Sequence, residues 1–481
     1  MEGLIIFGYG FALTMICLYS LIQLNLIRQY QKTTSQDNSE RELRHFPRVT
    51  VQLPVYNERY VVSRLIDAVC NIDYPKDKFE VQVLDDSDDD TKEIILAKIN
   101  EWKREGITIS RVTRDSRTGF KAGALQYGLS KVNSEFIAIF DADFIPPRNF
   151  LKATLPHFKD DIGMVQTRWG HLNENYNILT QMQAFGLNAH FTVEQSGRQN
   201  GGRLINFNGT AGIWRRECIE KTGGWHHDTL TEDLDLSYRA QLKGWKFKYL
   251  ENVVSPAELP VLVPAIKAQQ YRWNKGAAET ARKQIKHILK SDLPLWSKVH
   301  GITHLLNSSL FLWLFIAAIT SVPLILIRAE GTYWFWNWGT LFIFGFIVII
   351  YFYWTSFKAS NPKATLRKYL QQLPLFLTYS GGMSLHNSIA VIEGYFGVKT
   401  PFIRTPKFNI LAKGDTWKGN KYFSWKISYI TILEGILMLY FLFGIALSFI
   451  VQDFGFILWH LMLAIGFGLV FFRSVKPLRY A

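Results

Sequence analysis

The chain has 481 residues, 48% hydrophobic and 15% aromatic, with a formal net charge of +14, so it exceeds one small domain and has material for a sizeable core plus something else. Its three cysteines (Cys17, Cys70, Cys218) form neither a CxxC pair nor an even framework, which argues against a disulfide scaffold and a thiolate metal site. No Lys/Arg run with interleaved aromatics points to nucleic acid, so the positive balance indicates an anionic membrane face or a phosphorylated substrate.

Residues 3–28 form one apolar run long enough to cross a bilayer. It lacks a basic n-region and a small-residue cleavage site, so residues 1–30 are expected to be an uncleaved anchor rather than a signal peptide. Residues 31–47 read as polar linker. Between 48 and 290, short apolar segments ("RVTVQLPV", "FEVQVLDD", "ITISRVTR", "FIAIFDAD", "GMVQTRW") alternate with amphipathic helical patterns. That alternation predicts an α/β domain with a mostly parallel sheet.

Residues 291–481 are expected to be a membrane domain. Apolar runs occupy 301–327, 339–355, about 372–396, 423–450 and 454–475. The third holds Pro374, Gly381, Gly382, His386, Asn387 and Glu393, which are costly in hydrocarbon. The loop 356–371 (Lys358, Lys363, Arg367, Lys368) and the tail "RSVKPLRYA" are basic, whereas "VQDFG" has no Lys or Arg. The positive-inside rule puts both basic segments in the cytoplasm and "VQDFG" outside. Two spans then place 397–422, with Lys399, Arg404, Lys407, Lys413, Lys418 and Lys421, in the cytoplasm as well. Residues 372–396 join two cytoplasmic segments, so they should lie in the interface or re-enter, leaving about five spans with the α/β domain on the cytoplasmic side.

Several motifs carry chemistry. In "FDADF", Asp141 and Asp143 follow an apolar strand and point the same way, as i and i+2 do in extended chain. Such a pair can hold a hard divalent cation, Mg²⁺ or Mn²⁺, that bridges to phosphates, or be ordinary turn aspartates. In "VLDDSDDDT", Asp85 or Asp86 can contact a base or ribose at a strand carboxyl end, while Asp88, Asp89 and Asp90 read as caps for the next helix. In "LPVYNE", Tyr56 can stack on a base and Glu58 can accept from a sugar hydroxyl. Lys121 of "GFKAGAL" can approach a diphosphate, with Gly123 permitting close packing, or be a solvated lysine at a helix start.

"LTEDLDLSYRA" opens a helix with Thr231 as a plausible N-cap. Glu232 and Asp233 stand in its first turn, where a carboxylate stays ionised, and Asp233 near a sugar hydroxyl can serve as general base. "NFNGTAGIWRR" offers Asn208, Gly209 and Thr210, small and polar, for an acceptor pocket or a plain turn. "QQYRW" joins Gln269, Arg272 and Trp273: amide, phosphate-binding fork and a flat face for a pyranose, or a basic amphipathic helix on the membrane.

Singly these are weak; their order, YNE, DD, KAG, DAD, NGT, TED and QxxRW before a membrane block, is specific. Over residues 48 to 280 the chain resembles the membrane-embedded family 2 glycosyltransferases. Within that group "VQVLDDS", "KAGAL", "AIFDADF", "FNGTAGIWR", "EDLDLSYRAQLKGWKF" and "QQYRW" are most similar to the plant cellulose-synthase-like enzymes that make mannan and glucan backbones.

The resemblance implies a GT-A (Rossmann-like) cytosolic domain, a nucleotide-sugar donor (UDP-glucose or GDP-mannose) and inversion at the anomeric carbon. It implies Asp141 and Asp143 as metal ligands, with Asp85 or Asp86, Tyr56, Glu58, Lys121, Gln269 and Arg272 around the donor. Asp233 with Glu232 would form the base site, and Trp273, Asn208, Gly209 and Thr210 would meet the acceptor. In the bacterial cellulose synthase type a gating loop FxVTxK covers the nucleotide. Phe402, Thr405 and Lys407 of "PFIRTPK" fit it, whereas Arg404 replaces the valine and adds a cation that favours a diphosphate. The flanking prolines restrict the hinge. The function implied is processive polymerisation of glucose or mannose onto a growing glycan, with the product passed through the membrane. A single transfer to a lipid acceptor is the competing enzyme reading, and a transporter with an inactive domain is disfavoured because the catalytic carboxylates are all present.

Overall fold

The computed structural model describes residues 1–32, 43, 45–329, 331, 338–401, 403–422 and 427–475. One seven-stranded sheet organises the α/β domain in the order β3-β2-β1-β4-β6-β5-β7. Its strands are β1 (Val49–Val55), β2 (Phe79–Asp85), β3 (Thr108–Val112), β4 (Phe136–Ile139), β5 (Ile162–His171), β6 (Gly212–Arg215) and β7 (Lys246–Ala257). The first four pair in parallel, β6 runs antiparallel to both β4 and β5, and β5 pairs with β7 in parallel. This is the mostly parallel, Rossmann-like sheet expected. The two strands that the alternation of segments does not predict are β6, only four residues long, and β7, a charged sheet edge.

Both faces of the sheet are covered. Phe136 and Ala138 of β4 pack into one core layer with Val51, Leu53, Phe140 and Phe150, while Ile137 and Ile139 pack into the other with Leu125, Trp214 and Leu236. Alternate residues of a strand point to opposite faces, so a strand buried on both sides reads as a continuous apolar run. The register Val55↔Asp85 between β1 and β2, and Gln52↔Ile139 between β1 and β4, brings "YNE", "DD" and "DAD" to one edge of the sheet.

Among the described residues, five helices are long and apolar enough to cross a membrane: Glu2–Lys32, Ser309–Ala329, Gly339–Ser360, Tyr429–Val451 and Ile457–Val475. The number agrees with the charge asymmetry. The apolar run expected from residue 301 is divided, because Leu295–Leu305 is a separate helix. Residues 372–396 fall in two helices, Leu366–Gly382 and Ser384–Phe396, neither of which is among the five. Their polar residues face the helix Val263–Lys290 that carries "QQYRW". Asn387 Nδ2 donates to Gln270 Oε1 at 2.8 Å, His386 Nε2 lies 3.0 Å from Lys267 O, and a Cβ on Gly394 would come 2.6 Å from Lys275 O. Small residues also set the contact with the last helix, where a Cβ on Gly382 would run into the backbone of Gly466.

Candidate active site

The carboxyl ends of β1, β2 and β4 open onto a cleft of about 130 Å³, closed from above by the segment around Arg404, Thr405 and Lys407. Tyr56, Glu58, Asp86, Lys121, Asp141, Asp143 and Arg272 all line it. Asp85 does not. Its buried carboxylate accepts from Arg111 Nε at 2.7 Å and Ser87 N at 2.9 Å, so it supports the loop, and Asp86 is the residue that faces the cleft. Arg114 grips Asp86 by a two-point fork, Nε to Oδ1 at 2.8 Å and Nη2 to Oδ2 at 2.6 Å.

Lys121 stands in the first turn of the helix Phe120–Leu129, held by a glycine-rich turn. Gly119 has φ +74°, and a Cβ on Gly123 would collide with Thr118 O, which confirms the close packing expected there. Lys121 Nζ reaches Asp141 Oδ1 at 2.5 Å and Gly209 O at 2.9 Å. Burial alone would lower its pKa, but Asp141, Glu232 and Asp233 outweigh burial and raise it. Gly209 (φ +79°) carries the "NGT" loop between this lysine and Asp233, since its Cβ would lie 3.0 Å from Asp233 Oδ2 and 3.5 Å from Lys121 Nζ.

Asp233 lies in the first turn of the helix Glu232–Leu242 and accepts from Leu234 N at 2.9 Å. Burial first, and then the neighbouring Glu232, push its pKa up to about 7 against the pull of Lys121. The helix start therefore does not keep it fully ionised, as its position in the sequence suggests. Thr231 makes no side-chain cap; its hydroxyl lies 3.2 Å from Thr280 Oγ1.

The "NGT" residues divide. Thr210 is buried and its hydroxyl accepts from Asp141 N at 2.9 Å, so it supports the aspartate loop. Asn208 Oδ1 lies 2.9 Å from His190 Nε2, and His190 Nδ1 lies 2.9 Å from Glu194. This chain sits on a π-helical turn, His190–Glu194, a device common at functional sites.

The QxxRW residues divide as well. Arg272 faces the cleft, where Nη2 donates to Thr405 Oγ1 at 2.8 Å. Gln269 and Trp273, at i and i+4 of the helix, line a second cavity of about 130 Å³. Met182, Gln183, Tyr379 and Met383 form its other walls. Gln269, expected beside the donor, thus lines this cavity with Trp273 rather than the cleft.

The loop over the cleft is docked in place. Arg404 pairs with Glu58 at 3.0 Å and also bonds the carbonyls of Tyr56 and Asn57; Lys407 pairs with Asp143 Oδ2 at 2.5 Å. Phe408 and Ile410 are buried against Val261 and Ala265. Burial pushes Glu58 up to about 7 even though Arg404 and Lys407 lower it. Phe402 lies outside the described residues. The acidic run that reads as helix capping holds the far end of the loop: Lys421 bonds Asp90, and the Tyr422 hydroxyl bonds Asp89. Arg404 stacks over Tyr422 with its guanidinium 4.3 Å from the ring centre. Sequence reading missed this dock, and it missed Arg111, Arg114 and Arg117, although three arginines at the end of a strand and just beyond it are a readable signal for a polyanion site.

Asp141 and Asp143 fit a hard divalent cation. Each presents carboxylate oxygens to the cleft, and each keeps one oxygen beyond the one its lysine takes. Another group, His226, Asp228 and Asp235, has metal-ligand spacing among the described residues. Its carboxylates are already engaged, since Lys283 reaches Asp228 at 2.8 Å and Asp235 at 3.1 Å, and Arg239 Nε meets Asp235 at 2.7 Å. It is an ion-pair network.

Residues 47–283 match the model of the glycosyltransferase like family 2. A glucomannan 4-beta-mannosyltransferase of Arabidopsis thaliana is 35% identical over 405 residues, 82% of this chain and 73% of the relative. One of Oryza sativa subsp. japonica is 36% identical over 374 residues, 74% of this chain and 68% of the relative. Among solved structures, a mannosyltransferase from Pyrobaculum calidifontis in complex with GDP-Man and Mn²⁺ shares the fold. Its TM-score is 0.58 at 20% identity, over 82% of this chain and 100% of that one. This chain belongs to glycosyltransferase family 2, on its cellulose synthase-like branch, and is a hexosyltransferase.

Proposed function

We propose that the chain polymerises hexose, mannose foremost, from a nucleotide-sugar into a β-linked polysaccharide at the cytoplasmic face, and passes the product between its membrane helices. The observation that carries this is the two-faced QxxRW helix. Arg272 points into the cleft with the aspartates, while Trp273 and Gln269 point into a separate cavity walled by Phe311, Phe376 and Tyr379 of the membrane domain. The cleft and an aromatic-walled cavity thus open on two faces of one helix, an arrangement that suits elongation and extrusion. The relatives that make glucomannan support mannose.

In this reading Asp233 takes the proton from the acceptor hydroxyl, whose oxygen attacks the anomeric carbon from the face opposite the leaving diphosphate. Its pKa of about 7 suits a general base near neutral pH. Lys121, Arg272 and Lys407 face the departing phosphates, a fixed positive field where charge develops. Asp141 and Asp143 would hold Mg²⁺ or Mn²⁺, which supplies Lewis-acid neutralisation of the diphosphate. Trp273 gives the terminal sugar an apolar face.

The test is product analysis. Sealed membranes given radiolabelled GDP-mannose or UDP-glucose with Mn²⁺ should yield long polymer, degraded by a β-mannanase only after the vesicles are opened. One sugar on a lipid would make this a glycolipid enzyme. Polymer digestible without opening the vesicles would remove translocation.

A further inference from the structure

Among the described residues, one cation of the cleft makes neither an ion pair nor a hydrogen bond. Lys121, Arg114, Arg404 and Lys407 are each paired with Asp141, Asp86, Glu58 and Asp143. Arg117 also lines the cleft, yet among the described residues its guanidinium makes no ion pair and donates to no acceptor, and its Nε is buried without a partner. It is held by stacking, with its guanidinium carbon 3.3 Å from the centre of the Tyr56 ring. A buried, undonated N–H costs free energy unless a ligand supplies the acceptor.

Sheet order says which part of the ligand that is. Arg117 follows β3, Asp86 follows β2 and Tyr56 follows β1, whereas Asp141 and Asp143 follow β4 on the other side of β1. The phosphates belong with Asp141, Asp143 and Lys121, so Arg117 stands at the nucleoside end. Stacking on Tyr56 covers that ring and leaves the guanidinium to present its fork of N–H groups in its own plane. A fork of two donors matches two adjacent acceptors. Guanine has such an edge in O6 and N7, and its N1–H and N2 amino group suit a carboxylate such as Asp86. Uracil sets an N–H donor beside each carbonyl and offers no such pair of acceptors.

We infer that Arg117 is a specificity-determining residue that reads the O6/N7 edge of a guanine, making the donor a guanosine diphosphate sugar. The inference rests on the nucleotide-sugar reading above and sharpens it. One bidentate pair of this kind is worth about tenfold or more in affinity.

The test titrates full-length protein in detergent with GDP, UDP and inorganic pyrophosphate, each with Mn²⁺, by calorimetry. Wild type should bind GDP at least about tenfold more tightly than UDP. Arg117→Lys keeps the charge but loses the fork. It should erase that ratio, leave pyrophosphate affinity within about twofold and melt at the wild-type temperature. Equal binding of GDP and UDP by the wild type overturns the inference. So does a parallel loss of pyrophosphate binding in the variant, which would make Arg117 a phosphate ligand. If UDP-hexose is polymerised instead, the transferase reading stands and the guanine assignment falls. If no nucleoside diphosphate binds the wild type, the donor reading itself fails.

Discussion

Replacing Glu232 by Gln should move the acid limb of the pH–rate profile without removing the base. Asp233 reaches about 7 chiefly because it is buried, next because the Glu232 carboxylate stands beside it, and in spite of Lys121. A general base works only deprotonated, so turnover should fall tenfold per pH unit below about pH 7 and level off above it. Removing the like charge takes away the second cause and leaves Lys121 pulling the pKa down, so the limb should shift to lower pH by on the order of one unit. At about pH 6 the variant should then be several-fold faster, relative to its own plateau, than wild type. The assay is initial-rate transfer of labelled hexose at saturating donor from about pH 5 to about pH 9. Glu58 also titrates near 7, but it sits under Arg404, so its protonation should appear in the donor KM rather than in the saturated rate. A limb that stays in place in Glu232→Gln, or one centred near the ordinary carboxylate value in wild type, refutes the assignment of Asp233 as the base.

Two other predictions follow from contacts described above. Lys407→Met frees Asp143, whose side chain is almost fully buried in the ion pair. Mn²⁺ should then bind the donor-free protein about tenfold or more tightly, while transfer slows by a similar factor because a phosphate contact is lost; calorimetry and turnover measure the two, and unchanged metal affinity would mean that Lys407 does not compete at this carboxylate. Gly382→Ala puts a methyl group into the Gly466 backbone and should destabilise the membrane bundle by about 1–3 kcal/mol, read as an earlier thermal transition in detergent; an unshifted transition would show that the two helices can separate at no cost.

Local pattern carried a good deal of this architecture. Strands buried on both faces stand out as apolar runs: nothing polar interrupts "FIAI", and Gln82 alone breaks "VQVL". β7, "KFKYLENVVSPA", does not, because it is the sheet edge and alternates charge with apolar residues. Helical geometry already separates Arg272 from Trp273, sequence neighbours about 100° apart around the axis, but a motif taken as a unit hides that. Asp85 and Asp86 look alike in sequence and differ only in what lies opposite, Arg111 or Arg114. Lys407–Asp143 and Tyr422–Asp89 join residues more than 260 positions apart, so no local signal reports them. Asp233's shifted pKa reflects burial, which a helix-start position does not reveal.

The measurement closest to the central claim is Asp233→Asn, an isosteric change that removes the proton acceptor and keeps the contact to Leu234 N. The account predicts that transfer falls by about 10²-fold or more while GDP–Mn²⁺ affinity and the thermal transition stay at wild-type values. Wild-type turnover in that variant would contradict it, and the proton would have to leave by another route.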